Sequence, residues 1–317
     1  MDIVFFGTPD YVVPVLENLH KKFKDHHGSP IAAVVTQEPK PSGRKKLLKY
    51  SAVDDWAHKR EKPIFFRSLD LINEGIKADI GILAAYGEII PQKVIDYFPY
   101  GMINIHPSLL PKFRGASPVQ ATLVSGEDKA GVTIMKMDEQ LDHGPIISQF
   151  TEDVHDNDTT ETLRDRLFLR SAEVLETLIP AYIEGKIHIK KQDHGKATFT
   201  KMIKKSDAFI DPKALGAILQ GLTYKGNWEI PFMKGHKTHY SPVTIHNFIR
   251  AMQPWPQAWT FVRLESSGQA KRLKLLKSHI EEGMLVLDEV QLEGKNPVSW
   301  EQFTEAYPNY EFTHEKK

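Results

Sequence analysis

Cysteine is absent from the 317 residues. That excludes disulfides, thiolate-bound metals and cysteine nucleophiles, and it suits a reducing compartment. Net charge is absent as well, since 41 Lys and Arg balance 41 Asp and Glu. The chain as a whole is therefore not drawn to nucleic acid or anionic membrane, and any basic surface has to be local. No apolar run approaches the roughly 20 residues that cross a bilayer. Asp2-Ile3-Val4-Phe5-Phe6, directly after Met1, lacks the basic segment of an export signal. A cytoplasmic protein without membrane contact is expected. None of the fourteen histidines stands in an HExxH-like spacing, so no metal site is expected. Internal repeats and low-complexity tracts are also missing.

What is present suits a two-domain globular chain, with 41% hydrophobic and 26% charged residues. The first half alternates short apolar, β-rich runs with helical patterns. Strands are expected at Ile3 to Phe6, Ile31 to Thr36, Ile64 to Phe66, Ile80 to Ala84, Gly101 to Ile105 and Gly131 to Met137. Helices are expected at Val12 to Lys22, Leu69 to Lys77, Pro91 to Tyr97 and Pro118 to Val124. This rhythm predicts an α/β fold with a doubly wound, mostly parallel, Rossmann-like sheet. Thr159 to Ile183 reads as one long amphipathic helix, with Leu163, Leu167, Leu175, Leu178 and Ile179 at steps of three or four and Gly185 stopping it. A first domain is thus expected over 1–186. The polar stretch 187–206, dense in Lys, Asp and His, reads as an ordered or semi-ordered linker. A smaller domain over 207–317 follows, with a helix near Thr244 to Met252 and strands near Trp259 to Leu264, Arg272 to Ser278 and Leu285 to Gln291.

In open α/β sheets reactive groups gather at the carboxyl ends of strands. Asn104 and His106 end the fifth strand two residues apart, on one face. Pro107 and Pro111 prevent a regular continuation. Asp142 follows the next strand in a loop whose Gly144 and Pro145 set a fixed turn. An Asn, a His and an Asp meet the needs of transfer from a formamide-like donor to an amine. The amide and a protonated imidazole can stabilise an oxyanion, and the carboxylate can hold the imidazolium and relay a proton. The same residues also suit satisfied polar turns, and pattern alone leaves both readings open.

Asn104-Ile105-His106-Pro107-Ser108-Leu109-Leu110-Pro111, Phe113-Arg114-Gly115-Ala116-Ser117-Pro118 and Leu141-Asp142-His143-Gly144-Pro145-Ile146 closely resemble the signature of the folate-dependent formyltransferases. The resemblance implies that Asn104, His106 and Asp142 are catalytic and that 10-formyltetrahydrofolate is the donor, a co-substrate and not a prosthetic group. Ile82 to Pro91 is similar to the stretch that holds the pterin. The family likeness implies folate contacts at Glu88, Ile90, Ser108, Leu109, Leu110, Pro111, Met137 and Gln140. Gln140 stands where the family usually has Gly, and His143-Gly144-Pro145 replaces a commoner Thr-Gly-Asp, so both departures border the substrate pocket.

Three features are similar to the branch of the family that formylates initiator methionyl-tRNA. The first is Phe5-Phe6-Gly7-Thr8-Pro9-Asp10-Tyr11. The second is the segment from Pro39 to Val53, with five basic residues in ten; on its own this is a solvated face as readily as a phosphate patch. Its similarity to that branch's basic loop implies tRNA contacts at Arg44, Lys45, Lys46 and Lys49. The third is a carboxyl-terminal portion whose Ile245 to Trp259 and Leu292 to Val298 look like the entry and exit of a tRNA-binding, OB-like β domain. That domain is expected to be truncated or rebuilt, because an insertion occupies roughly 213–243 and the interval from Ser278 to Leu285 is short for a full barrel. Trp228, Trp255 and Trp259 are expected in packing roles before base stacking. A monomer is expected. The alternatives are an amino-sugar-nucleotide N-formyltransferase using the same donor, and an RNA-binding protein that has lost turnover.

Overall fold

The computed structural model describes residues 1–26, 28–42, 47–265 and 269–314, which form two compact units. The first comprises Met1–Arg114, Ala130–Glu152 and Arg164–Ala197; the second comprises Gly115–Lys129, Asp153–Leu163 and everything from Thr198 onward. The chain therefore passes between them repeatedly. Among the described residues no helix is long and apolar enough to cross a membrane.

Along the chain come β1 (Ile3–Gly7), α1 (Val13–Lys22), β2 (Ile31–Val35), β3 (Lys40–Ser42), β4 (Leu47–Lys49), α2 (Ala52–His58), β5 (Ile64–Phe65), α3 (Asp70–Asn73), β6 (Ile80–Ala84), α4 (Gln92–Ile95) and β7 (Met102–His106). They continue with β8 (Arg114–Gly115), α5 (Pro118–Val124), β9 (Lys129–Lys136), β10 (Ile146–Asp153) and α6 (Thr160–Ile183). The sheet of the first unit has the order β10-β9-β7-β6-β1-β2-β5. β1 pairs in parallel with β2 and β6, β2 with β5, and β6 with β7. The strand order turns around between β1 and β6, the switch point of a doubly wound sheet. β1 is buried along its whole length, as a parallel strand covered on both faces must be. One face carries a core of Val4, Phe6, Val35, Leu71, Tyr86, Val94, Phe98 and Met102.

Four local expectations change. The strand expected over Gly131 to Met137 runs antiparallel to β7, pairing His106 with Thr133 and Ile103 with Lys136. A parallel partner needs a crossover helix lying on the same sheet, and α5, the helix between them, belongs to the second unit. β10 was not foreseen. The helices near 70 and 92 shorten to four residues each. The basic segment after β2 is a hairpin, with Lys40, Pro41 and Ser42 opposite Lys49, Leu48 and Leu47. Arg44, Lys45 and Lys46 lie outside the described residues, and Lys49 is exposed on β4. The stretch read as an ordered or semi-ordered linker begins with structure: Lys190 bridges to Ile146, and the first unit includes it as far as Ala197.

The second unit adds β11 (Phe199–Thr200), α7 (Pro212–Leu219), β12 (Asn227–Glu229), β13 (Lys237–His239), α8 (Pro242–Ala251), β14 (Ala258–Arg263), β15 (Ala270–Glu281), β16 (Met284–Leu292), β17 (Val298–Ser299), α9 (Trp300–Ala306) and β18 (Glu311–Phe312). Its main sheet is antiparallel, in the order β17-β16-β15-β14-β18. The short interval after Ser278 is accounted for by a two-residue turn: Glu281 pairs with Met284 while Glu282 and Gly283 both take positive φ, 49° and 80°. That conformation matches the twist of the flanking strands and favours Gly. Part of the 213–243 segment joins the core, through Ala214, Leu215, Ile218, Trp228, Ile230, Phe232 and Met233. Trp228 is buried, stacks on Tyr240 at 4.7 Å and 6°, and lies 4.5 Å from the Phe248 ring of α8. Trp259 meets the rings of Phe209 and Phe261 and the Arg272 guanidinium, whereas Trp255 is exposed.

Candidate active site

β7 is buried at all five positions, yet two of its residues are Asn104 and His106. Burying polar side chains costs free energy unless they are hydrogen-bonded, so their partners define the site. Alternation along the strand puts both on one face. Asn104 Nδ2 donates to Asp142 Oδ1 at 3.3 Å. His106 Nδ1 lies 3.5 Å from the same oxygen. On its other side His106 Nε2 donates to the Phe113 carbonyl at 3.0 Å, which Phe113 turns inward by adopting φ 59°. Both ring nitrogens thus face oxygen acceptors, an arrangement that the protonated imidazole satisfies fully. The three residues expected to act together converge, each less than a tenth exposed.

The carboxyl-end rule accounts for Asn104 and His106 but not for Asp142. Because β9 is antiparallel, its carboxyl end lies beside the start of β7. The loop 137–145 must run back over the sheet to reach His106. Gly144 makes this return feasible: a Cβ there would sit 1.9 Å from the Lys136 carbonyl oxygen, so only glycine lets the two segments touch, and Lys136 N–H bonds Pro145 O at 2.9 Å. Asp142 itself takes φ 48°, a left-handed conformation costing about 1 kcal/mol in a residue with a side chain. Gln192 offsets that cost. Its amide nitrogen donates to the carbonyls of Asp142 at 3.0 Å and Gly144 at 2.7 Å, bonds worth about 1 kcal/mol each.

Gln192 in turn accepts from Arg114 through Nε at 3.3 Å and Nη2 at 2.6 Å. Arg114 Nη2 also donates to His194 Nδ1 at 2.8 Å. Burial pushes the Arg114 guanidinium down from its ordinary value, against the pull of Asp142 and Asp138. His194 stacks on His143 at 3.9 Å and 5°, and His143 Nδ1 meets Asp138 Oδ2 at 2.7 Å. Desolvation, then the neighbouring His143 and Arg114, lower the His194 ring from its ordinary value, in keeping with a neutral Nδ1 acceptor. Gln192 and His194 escaped the sequence reading because they sit in a stretch dominated by charged residues. The alternation Ile187-His188-Ile189 was the one available sign of an extended segment.

The residues expected to hold folate fall into separate groups. Ile90 is buried in the core cluster and Met137 packs against the same cluster. Glu88 is exposed and accepts from the Tyr86 hydroxyl at 3.2 Å. Ser108 and Leu110 are tied into their own turn: Ser108 Oγ donates to Lys112 O, its carbonyl accepts from Thr133, and Leu110 bonds Thr133 through N–H and Gln149 through its carbonyl. Leu109 and Pro111 are half-buried beside them, and Gln140 is exposed on the 137–145 loop.

Residues 1–179 match the family model described as Formyl transferase, and residues 239–284 match Formyl transferase, C-terminal domain. The chain is 36% identical over 269 residues to the methionyl-tRNA formyltransferase of Chloroflexus aggregans, spanning 83% of this chain and 77% of that one. It is 35% identical over 264 residues to the methionyl-tRNA formyltransferase of Bacillus subtilis, spanning 81% and 74%. Among solved structures, the methionyl-tRNA formyltransferase from Clostridium thermocellum superposes with a TM-score of 0.55 at 17% identity, over 92% of this chain and 98% of that one. An N-formyltransferase from Helicobacter canadensis, in complex with folinic acid and dTDP-3-aminofucose, gives 0.59 at 17% identity, over 89% and 88%. At such identities the last two speak for the fold.

Proposed function

This chain belongs to the formyl transferase family, and we propose from that premise that Asn104, His106 and Asp142 carry its chemistry. The enzyme transfers a formyl group to the α-amino group of initiator methionyl-tRNA, supporting translation initiation. The donor is 10-formyltetrahydrofolate, and the reaction runs in the cytoplasm. The observation that carries the site assignment is the convergence of an amide, an imidazole and a carboxylate on one buried point.

In the reaction the amine nitrogen attacks the formyl carbon, and the carbonyl oxygen becomes an oxyanion. The second N–H of Asn104 Nδ2 supplies a hydrogen-bond donor for that charge, and the positive charge of a protonated His106 beside it adds electrostatic stabilisation. Asp142, beside both, takes the proton that the ammonium loses. The bond from carbon to the folate nitrogen then breaks, and that nitrogen receives the proton. The products are N-formylmethionyl-tRNA and tetrahydrofolate. Docking of the acceptor rests on Arg44, Lys45, Lys46 and Lys49, whose charge stands out in an otherwise neutral chain.

The test is direct. Purified protein is incubated with 10-formyltetrahydrofolate and either charged initiator tRNA or an amino-sugar nucleotide, and the formylated products are separated after deacylation. Formylmethionine is expected from the first acceptor. Turnover confined to the sugar nucleotide would overturn the assignment of acceptor, and turnover with neither would overturn the activity.

A further inference from the structure

Gln192 is the most fully used side chain near the site that the chemistry above leaves without a task. It is buried, with 6% of its surface exposed, and its amide makes four hydrogen bonds. The partners fix its orientation, because the carbonyls of Asp142 and Gly144 demand the NH2 group and the Arg114 guanidinium demands the oxygen. We propose that Gln192 is a positioning residue, clamping the backbone of the Asp142 loop to the buried Arg114 so that the carboxylate stays aimed at Asn104 and His106. The proposal rests on the reading of Asp142 as catalytic.

Geometry supports it from two directions. Asp142 has a left-handed backbone and lies in a loop that must turn back across the sheet, so its carboxylate is not fixed by regular strand pairing. The two carbonyls that Gln192 grips flank His143, so one side chain sets the peptide planes on both sides of that turn. Gln192 touches neither Asn104 nor His106 in any of its bonds, so its influence on the reaction runs through Asp142. Displacement of a reacting group by about 1 Å is enough to cost roughly 100-fold in rate.

The experiment is a double-mutant cycle on the full chain with Asp142→Asn, Gln192→Ala, Gln192→Glu and Asp142→Asn/Gln192→Ala, each checked for folding by circular dichroism and thermal melting. Gln192→Glu retains size and an acceptor for Arg114 but loses both donors, and it carries the test if Gln192→Ala fails to fold. Asp142→Asn is expected to lower kcat about 100-fold. Each Gln192 variant is expected to lower kcat about 10-fold or more, with KM for the folate donor within about 3-fold. The double variant is expected to turn over within about 2-fold of Asp142→Asn alone, because a residue acting through Asp142 has nothing further to lose. A merely structural contribution would instead multiply with the Asp142 loss. Normal turnover of Asp142→Asn would sink the site assignment and this inference together. An impaired Asp142→Asn beside a normal folded Gln192 variant, or multiplicative losses in the double, would overturn the clamp alone.

Discussion

His106 shows how much one side chain is asked to do. It sits inside a fully buried strand, donates to Phe113 and faces Asp142, so its replacement removes the positive charge beside the oxyanion and leaves a carbonyl and a carboxylate facing a void. His106→Ala is expected to lower kcat about 100-fold, and circular dichroism should show the sheet retained. A folded His106→Ala protein with near-normal turnover would remove His106 from the mechanism. At this scale the sequence was informative where residue type and strand period coincide: Asn104 and His106 share a face because they are two apart, and polar side chains in an apolar strand advertise themselves. Gln192 gave no such signal. Its importance comes from a hydrogen-bond partner fifty positions away, and neither spacing nor composition records that.

Among the elements, the parallel strands were legible because burial on both faces leaves unbroken apolar runs, as in Ile3–Gly7 and Ile80–Ala84. β10 was not, since it alternates half-buried and exposed residues and contains Ser148, Gln149, Thr151, Glu152 and Asp153, the composition of a polar edge. The direction of β9 was hidden for a different reason: periodicity reports which face is buried and is blind to the sense of pairing. The hairpin of β3 and β4 is a further case, a charged segment whose strands expose Leu47 and Leu48. If its basic residues meet acceptor-stem phosphates, replacing Arg44, Lys45, Lys46 and Lys49 with Ala should weaken use of charged tRNA. Each lost phosphate contact should flatten the log-log salt dependence by roughly 0.7 to 0.9 units, while formylation of a small amine should hardly change. Steady-state kinetics with tRNA across a salt series would measure this, and an unchanged slope would identify the hairpin as a solvated surface.

For the whole molecule, several histidines contribute to how stability varies with pH. Burial, then the Arg250 charge, lower the His246 imidazole from its ordinary value of 6.5, and its Nδ1 pairs with Ser278 Oγ at 3.0 Å. Asp156, Arg250 and His279 are the charged groups acting on it. The native state favours the neutral ring, so the unfolded chain binds more protons. This contribution is complete above pH 6.5 and is lost as pH falls through the lower native value. His20, His194 and His236 are lowered too and act with the same sign. Melting temperature should therefore decline from pH 7.5 to pH 5, and His246→Gln should decline less; an equal fall in both proteins would show that His246 does not participate.

The repeated passage of the chain between its two units also bears on how such a protein can recombine. A crossover between relatives at residue 197 exchanges most of the second unit but leaves Gly115–Lys129 and Asp153–Leu163 from the first parent. Among these is Thr160, whose hydroxyl donates to the Ala251 carbonyl at 2.7 Å, and α5, which packs on α8 within that unit. Every such chimera thus joins a second unit of mixed ancestry, and its two parents have to agree along those buried seams. Residues from Thr198 onward are therefore not the whole of the folding unit they complete, and exchanging them alone exchanges only part of it.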